Sequence, residues 1–274
     1  MSSVLGLDRG VRLDGLTYEQ YAALDGVRAS DLLALVRSPA DYAWRREHPT
    51  QPTDAMVLGT LVHQLVLEPD RPAPTPWTGG RRAGAAWQEY VAARTAEGEP
   101  LITADQLETA LAMWTAVTVH HPGAAELVSR LTATEVTIQW EGPGGTVCKS
   151  RLDGLVEDDL GTTVVELKTA HDVSPRAFSR AAANRGYHLQ AAFYLDAYEA
   201  LHPSPRQTGH IIVAVESTVP HHVACYRLEE EAIERGRTSY QSAMLELAQC
   251  LESDEWPGPA GDAIEALALP RWVL

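Results

Sequence analysis

Two short runs, Lys149-Ser150-Arg151-Leu152-Asp153 and Thr163-Val164-Val165-Glu166-Leu167-Lys168-Thr169, carry the patterning of β-strands. The first alternates polar and apolar residues, and the second begins with β-branched residues and is bounded upstream by Gly161. Side chains along a strand repeat with period two, so Glu166 and Lys168 point to one face while Val165 and Leu167 point to the other. Between Asp153 and Glu166 lie Gly154, the acidic cluster Glu157-Asp158-Asp159 and Gly161, a composition that suits a hairpin-like return. Folded that way, Asp153 and Glu166 are expected to meet.

Two carboxylates converging on one point form a hard-oxygen site that prefers Mg2+ or Mn2+ and leaves positions for water and a phosphate. Such a site suits metal-assisted phosphodiester cleavage, with the Lys168 ammonium orienting water or offsetting negative charge in the transition state. Three common residue types at a loose spacing also occur on ordinary surface strands, so the reading depends on the rest of the chain.

Downstream, Tyr187-His188-Leu189-Gln190-Ala191-Ala192-Phe193-Tyr194 opens a helix on which Gln190 and Tyr194, at i and i+4, share a face near Tyr187 and Tyr198. That face is either a buried aromatic stripe or an amide and a phenol offered to a phosphate, a base or the lysine. Upstream, Leu58-Gly59-Thr60-Leu61-Val62-His63-Gln64-Leu65-Val66-Leu67 is apolar, helical and too short to span a membrane. Gly59, one turn before His63, permits close approach of a neighbouring element. A lone His on such a helix is more often a satisfied core residue than a ligand, and only a larger pattern decides otherwise.

The larger pattern is the order Gly59 with His63, Asp153, Glu166 with Lys168, then Gln190 with Tyr194. It resembles the PD-(D/E)XK nuclease superfamily, in its RecB-like and phage exonuclease branch. Ala29 to Tyr42, Leu58 to Pro69, Cys148 to Asp153, Tyr187 to Asp196 and Trp256-Pro257 look like the nuclease domain of RecE-type exonuclease VIII and its prophage relatives. The resemblance implies that His63, Asp153 and Glu166 are metal ligands, with the Leu167 backbone carbonyl a further one. It implies that Lys168 is the catalytic lysine and that Gln190 and Tyr194 border the active site. Glu135, where relatives also tend to carry an acid, is a secondary metal candidate. Leu152 stands where the motif name has proline, and the second acid is Glu166 where some RecE relatives have Asp.

The formal net charge of −15 is the main objection to a DNA enzyme, because Lys and Arg contacts to phosphate supply most non-specific affinity. Distribution answers part of it. Arg81, Arg82, Lys149, Arg151, Arg176, Arg180 and Arg185 are local cations in or between the matched motifs and are expected to contact DNA. A metal site also concentrates acids, and bound divalent ions reverse the local sign. The three cysteines, Cys148, Cys225 and Cys250, are odd in number and widely spaced, which argues against a disulfide framework. They fall short of the four thiolates of a typical iron–sulfur cluster. With no run of eighteen apolar residues and no basic-then-apolar leader after Met1, a cytoplasmic protein with no membrane partner is expected.

A chain of 274 residues with 45% hydrophobic content can bury a full core. The expected fold class is α/β of the α+β type, a restriction-endonuclease-like core with a mixed sheet flanked by helices. One domain is expected: a mainly helical part at 1–132 contributing His63, the sheet-containing core at 133–257, and a tail at 258–274. Residues 1–28 read as a loose lead with one helix near Tyr18, followed by helices at 30–48, 54–68, 85–96, 103–119 and 123–131. The Pro- and Gly-rich segment 69–84 reads as a long loop, either a DNA-contacting arm or a surface excursion. Strands are expected at 135–140, around Lys149 to Asp153, and at 164–169, 209–216 and 223–228, with helices at 175–185, 187–201 and 229–252.

The expected activity is Mg2+-dependent exonucleolytic digestion of one strand of linear duplex DNA, with Mn2+ as a substitute and two ions bound. Strand polarity, 5′ to 3′, comes from the resemblance alone, as do a closed homo-oligomeric ring and a single-strand annealing partner in phage recombination. Two alternatives use the same scaffold: a structure-specific or RecB-like repair endonuclease, and a nuclease-derived DNA-binding protein without catalysis. Retention of His63, Asp153, Glu166, Lys168, Gln190 and Tyr194 together argues against the last.

Overall fold

The N-terminal lead, expected to hold one helix, also holds a strand. In the computed structural model, which describes residues 10–48, 51–202, 208–260, 264 and 266–269, β1 (Val11–Leu13) precedes α1 (Tyr18–Ala23). The first nine residues of that lead and part of the expected tail lie outside the described residues. Thr17 starts α1 as a capping box, its hydroxyl accepting from the Gln20 N–H while the Gln20 amide accepts from the Thr17 N–H. The expected single helix at 30–48 is two, α2 (Ala29–Arg37) and α3 (Pro39–Glu47), broken at Ser38. Pro39 pushes the residue before it out of helical geometry, and Ser38 then caps α3 by accepting from the Asp41 N–H.

Helices α4 (Asp54–Leu67), α5 (Ala85–Ala96), α6 (Ala104–Thr115) and α7 (Pro122–Ser129) follow, and α6 runs on into a wider π-type turn at Ala116–His120. The segment between α4 and α5 is a loop, as its composition predicts, and it is tied down. The Gln64 amide donates to the Pro72 carbonyl at 2.9 Å, the Trp77 N–H to the Ile102 carbonyl at 2.8 Å, and the Tyr90 hydroxyl to the Thr75 carbonyl at 3.1 Å.

The sheet comprises β1, β2 (Ala133–Glu141), β3 (Val147–Asp158), β4 (Gly161–Ala170), β5 (Thr208–Glu216) and β6 (Val223–Arg227), side by side in that order. All neighbours are antiparallel except β4 and β5, which run parallel. The crossover that a parallel pair requires is supplied by α8 (Pro175–Asn184) and α9 (Tyr187–Glu199). A long helix, α10 (Glu230–Ser253), follows β6. Helix α9 is apolar nearly all round, which suits its position between the sheet and other helices, where Phe193 and Tyr198 are fully buried. One face of the sheet packs Leu152, Leu155 and Val164 against α2, α9 and α10; the other packs Val165, Leu167, Val213 and Val215 against α4 and α6. The late Trp256 stacks on Tyr42 at 6.3 Å between ring centroids.

The pairing of β3 with β4 stops early. It runs from Asp158 opposite Gly161 to Gly154 opposite Val165, whereas β3 stays paired with β2 back to Val147 and β4 stays paired with β5 out to Ala170. The sheet therefore forks between Asp153 and Glu166. That fork frees backbone groups and side chains at its apex, where the site lies.

Candidate active site

At the fork Asp153 performs a local structural task first. Its Oδ2 accepts a 2.8 Å hydrogen bond from the Leu167 N–H, satisfying a backbone donor that has no partner across the fork. Helix α4 brings His63 to the same point, with Nδ1 3.6 Å from Asp153 Oδ2. Gly59 makes that approach possible: a Cβ there would stand 3.3 Å from the Thr169 Oγ1 of β4. The third member is Glu135, at the register position facing Asp153 on β2 and held at φ 52°, in left-handed backbone geometry that a glutamate rarely adopts. Ligand atoms of His63, Glu135 and Asp153 all lie within 4.8 Å of one another.

Glu166 lies outside that cluster, though close enough for its charge to act on Asp153. It is almost fully buried, its Oε1 2.6 Å from Lys168 Nζ and its Oε2 3.2 Å from His210 Nε2. Asp153 and Glu166 thus flank the fork, and the three-residue cluster consists of His63, Glu135 and Asp153. Glu135, a secondary candidate in the sequence, takes a primary place there. Lys168 is also bound by Gln190, whose Oε1 accepts from Nζ at 3.0 Å and whose Nε2 donates to the Tyr194 hydroxyl at 3.0 Å. The Lys168 ammonium lies 4.8 Å from the centroid of the Tyr187 ring. The i, i+4 face of α9 is therefore both things the sequence allowed, a buried stripe and a hydrogen-bonded support for the lysine.

Electrostatics divide the two carboxylates. Burial, then the neighbouring Glu166 charge, push Asp153 up to about 7. Burial also opposes ionisation of Glu166, but Lys168 and His210 outweigh it and hold that carboxyl below its ordinary value. Burial works against the Lys168 cation, yet Glu166 and Asp153 more than compensate, so its pKa is raised and the side chain is an ammonium at neutral pH. Burial lowers His63, with Lys168 adding to the effect, so its imidazole is neutral and keeps a lone pair for a ligand bond. The Leu167 carbonyl lies against the His63 ring, on the cluster's border.

Those donors fit a divalent cation. Two carboxylates and one neutral imidazole are a donor set for a divalent metal, and a cation there offsets the burial and the Glu166 charge that raise the Asp153 pKa. Glu135 also depends on Arg151, whose Nε donates to its Oε2 while NH1 donates to the Leu16 carbonyl at 2.9 Å.

Arg151 and Lys149, DNA-contact candidates by sequence, point into the protein instead: Arg151 is engaged by Glu135 and Leu16, and Lys149 is buried. Lys149 donates to the carbonyls of Tyr21, Ala22 and Leu24, where α1 ends, and so serves acceptors at the helix's C-terminal end. Arg81 and Arg82 are exposed on the 69–84 loop, Arg82 lying 5.9 Å from the Trp87 ring, and Arg176, Arg180 and Arg185 are exposed on and just after α8. His210 is the residue that sequence reasoning passed over. Its only signal is a histidine inside the apolar strand run His210-Ile211-Ile212-Val213-Ala214-Val215.

One solved structure superposes closely enough to share this fold. An exonuclease candidate from Eubacterium rectale superposes with a TM-score of 0.60 at 8% identity, over 93% of this chain and 96% of that one. A phage-related exonuclease from Haemophilus somnus 129PT aligns over 84% of this chain and 96% of its own, at 12% identity and a TM-score of 0.35. No curated protein sequence matches the chain. Residues 29–267 match the PDDEXK-like domain of unknown function (DUF3799). A mixed sheet forked at Asp153 and Glu166, with Lys168 on the same strand as Glu166, agrees with that match, and the chain belongs to this PDDEXK-like family.

Proposed function

We propose that the chain is a Mg2+-dependent exodeoxyribonuclease that degrades one strand of linear duplex DNA from a free end, 5′ to 3′. The observation that carries this reading is the juxtaposition at one fork of a divalent-ion donor set, His63, Glu135 and Asp153, with an ammonium, Lys168, locked beside it. A bound divalent ion supplies polarisation of the phosphate and a more acidic water. Lys168 contributes charge: as a fixed cation it meets the negative charge that develops on the phosphate oxygens, and it cannot act as a base while protonated. Gln190 and Tyr187 keep the ammonium in place, so little reorganisation is needed when that charge appears. The Leu167 carbonyl, beside His63, is a further donor in this reading, and a second ion would draw on Glu166.

Strand polarity, a homo-oligomeric ring, a single-strand annealing partner and action in the cytoplasm of a phage host enter through the resemblance to RecE-type exonucleases. The test is digestion of linear and covalently closed duplex, labelled at either the 5′ or the 3′ end, in Mg2+ and in EDTA, with Lys168→Ala in parallel. Mg2+-dependent loss of the 5′ label from linear DNA alone, absent in the variant, is expected. Cleavage of closed circles would replace the exonuclease with a repair-type endonuclease, and intact DNA in every lane would sink the catalytic reading.

A further inference from the structure

The longest interval of the sequence without an acidic residue lies between Asp172 and Asp196, and it contains Arg176, Arg180, Arg185 and His188. In a chain of net charge −15 that interval is a local reversal of sign. Helix α8 organises it. Phe178 points inward, stacking on Tyr226 at 5.1 Å, while Arg176 and Arg180, one helical turn apart, project from the opposite side into solvent. None of Arg176, Arg180 and Arg185 forms an ion pair among the described residues, in contrast to Arg28, Arg94, Arg130, Arg151 and Arg237.

The series ends at the catalytic lysine. Arg185 donates to the Tyr187 hydroxyl at 3.3 Å, and the ring of the same tyrosine lies 4.8 Å from Lys168 Nζ. Arg176 and Arg180 share one face and are about 6 Å apart along the helix, close to the rise of two nucleotides, while Arg185 lies half a turn round, just past the helix end beside Tyr187. Guanidinium groups suit phosphate oxygens, which they bind as a fork.

We propose that the outward face of α8 is the bed for the sugar–phosphate backbone of the DNA strand being cut, with Tyr187 setting the register between a phosphate held at Arg185 and the one at Lys168. The inference rests on the nuclease reading and assigns its substrate contact to α8, while Lys149 and Arg151 serve the fold and Glu135.

The test is binding of a fluorescently labelled linear duplex to the full chain in EDTA, by anisotropy from 50 to 200 mM KCl, for wild type and the Arg176→Gln/Arg180→Gln variant. Each lost phosphate contact reduces the slope of log K against log salt by about 0.9, so the double variant should lose about two units of slope and about tenfold or more in affinity at low salt. Its melting temperature should match wild type, because both side chains are exposed; should the double variant fail to fold, Arg176→Gln alone should lose about one unit. An unchanged slope in a folded variant would overturn the α8 bed while leaving the nuclease reading intact. A wild-type protein that neither binds the duplex in EDTA nor cuts it in Mg2+ would overturn both.

Discussion

His210 Nε2 on β5 lies 3.2 Å from Glu166 Oε2 on β4, inside the sheet and shielded from water. A carboxylate buried to this degree needs its partners, and without His210 it would rest on Lys168 alone. His210→Leu should therefore destabilise the protein by about 1–3 kcal/mol, the scale for taking one partner from a buried acceptor. Urea unfolding of His210→Leu, Glu166→Gln and the double variant should show a coupling of at least about 1 kcal/mol; additive effects would refute the pairing.

Lys168 is a cation in contact with Glu166 and is absent from the donor cluster. Lys168→Met should lower the rate of cleavage by about 10²-fold or more, the cost of losing one preorganised charge-stabilising group. Mn2+ affinity, measured by calorimetry, should stay the same or rise, because a positive charge near the site has gone. A large loss of Mn2+ binding would mean that Lys168 organises the donors.

Asp153 makes metal binding pH-dependent. Its pKa in the fold, about 7 and raised by burial and by Glu166, exceeds the ordinary carboxyl value. Its contribution to stability in the metal-free protein is thus present at low pH and is lost as pH rises through about 7. The metal-free wild type should lose melting temperature relative to Asp153→Asn between about pH 4 and 7 and level off above that. A cation requires the carboxylate, so Mn2+ affinity should fall by up to about tenfold for each pH unit below that midpoint. Affinity independent of pH over this range would remove Asp153 from the ligand set.

Glu135 separates metal binding from folding. Glu135→Gln keeps the size of the side chain and an oxygen for Arg151, so the melting temperature should change little. Mn2+ affinity should drop by about tenfold or more, on the scale seen when groups around a metal are altered. Retained affinity would return Glu135 to a purely structural partner of Arg151.

Lys149 should behave as a core residue. Lys149→Met takes the Lys149 donor from the Ala22 and Leu24 carbonyls at the end of α1 and should cost about 2 kcal/mol, while the salt dependence of DNA binding stays that of wild type. A shallower salt slope in this variant would place Lys149 back on the DNA surface.

What the sequence determined by itself is what short-range geometry encodes. Period two put Glu166 and Lys168 on one face of β4, and period 3.6 put Gln190 and Tyr194 on one face of α9, as the structure has them. The motif order was enough to name His63 and Asp153, but it put Glu166 in the metal set beside them and left Glu135 a secondary candidate. Tertiary structure alone decided the rest. Which strand lies beside β4 is a choice among distant segments, so the parallel pairing that delivers His210 to Glu166 leaves no local trace. The burial of Lys149 depends on where α1 lands, more than a hundred residues away in the chain. The sheet's fork, which groups Asp153 with His63 and Glu135 and turns Glu166 toward Lys168, comes from where pairing between β3 and β4 ends. Side-chain periodicity is set by the backbone's own repeat, whereas partners across a sheet are set by register and packing, which only the folded chain fixes.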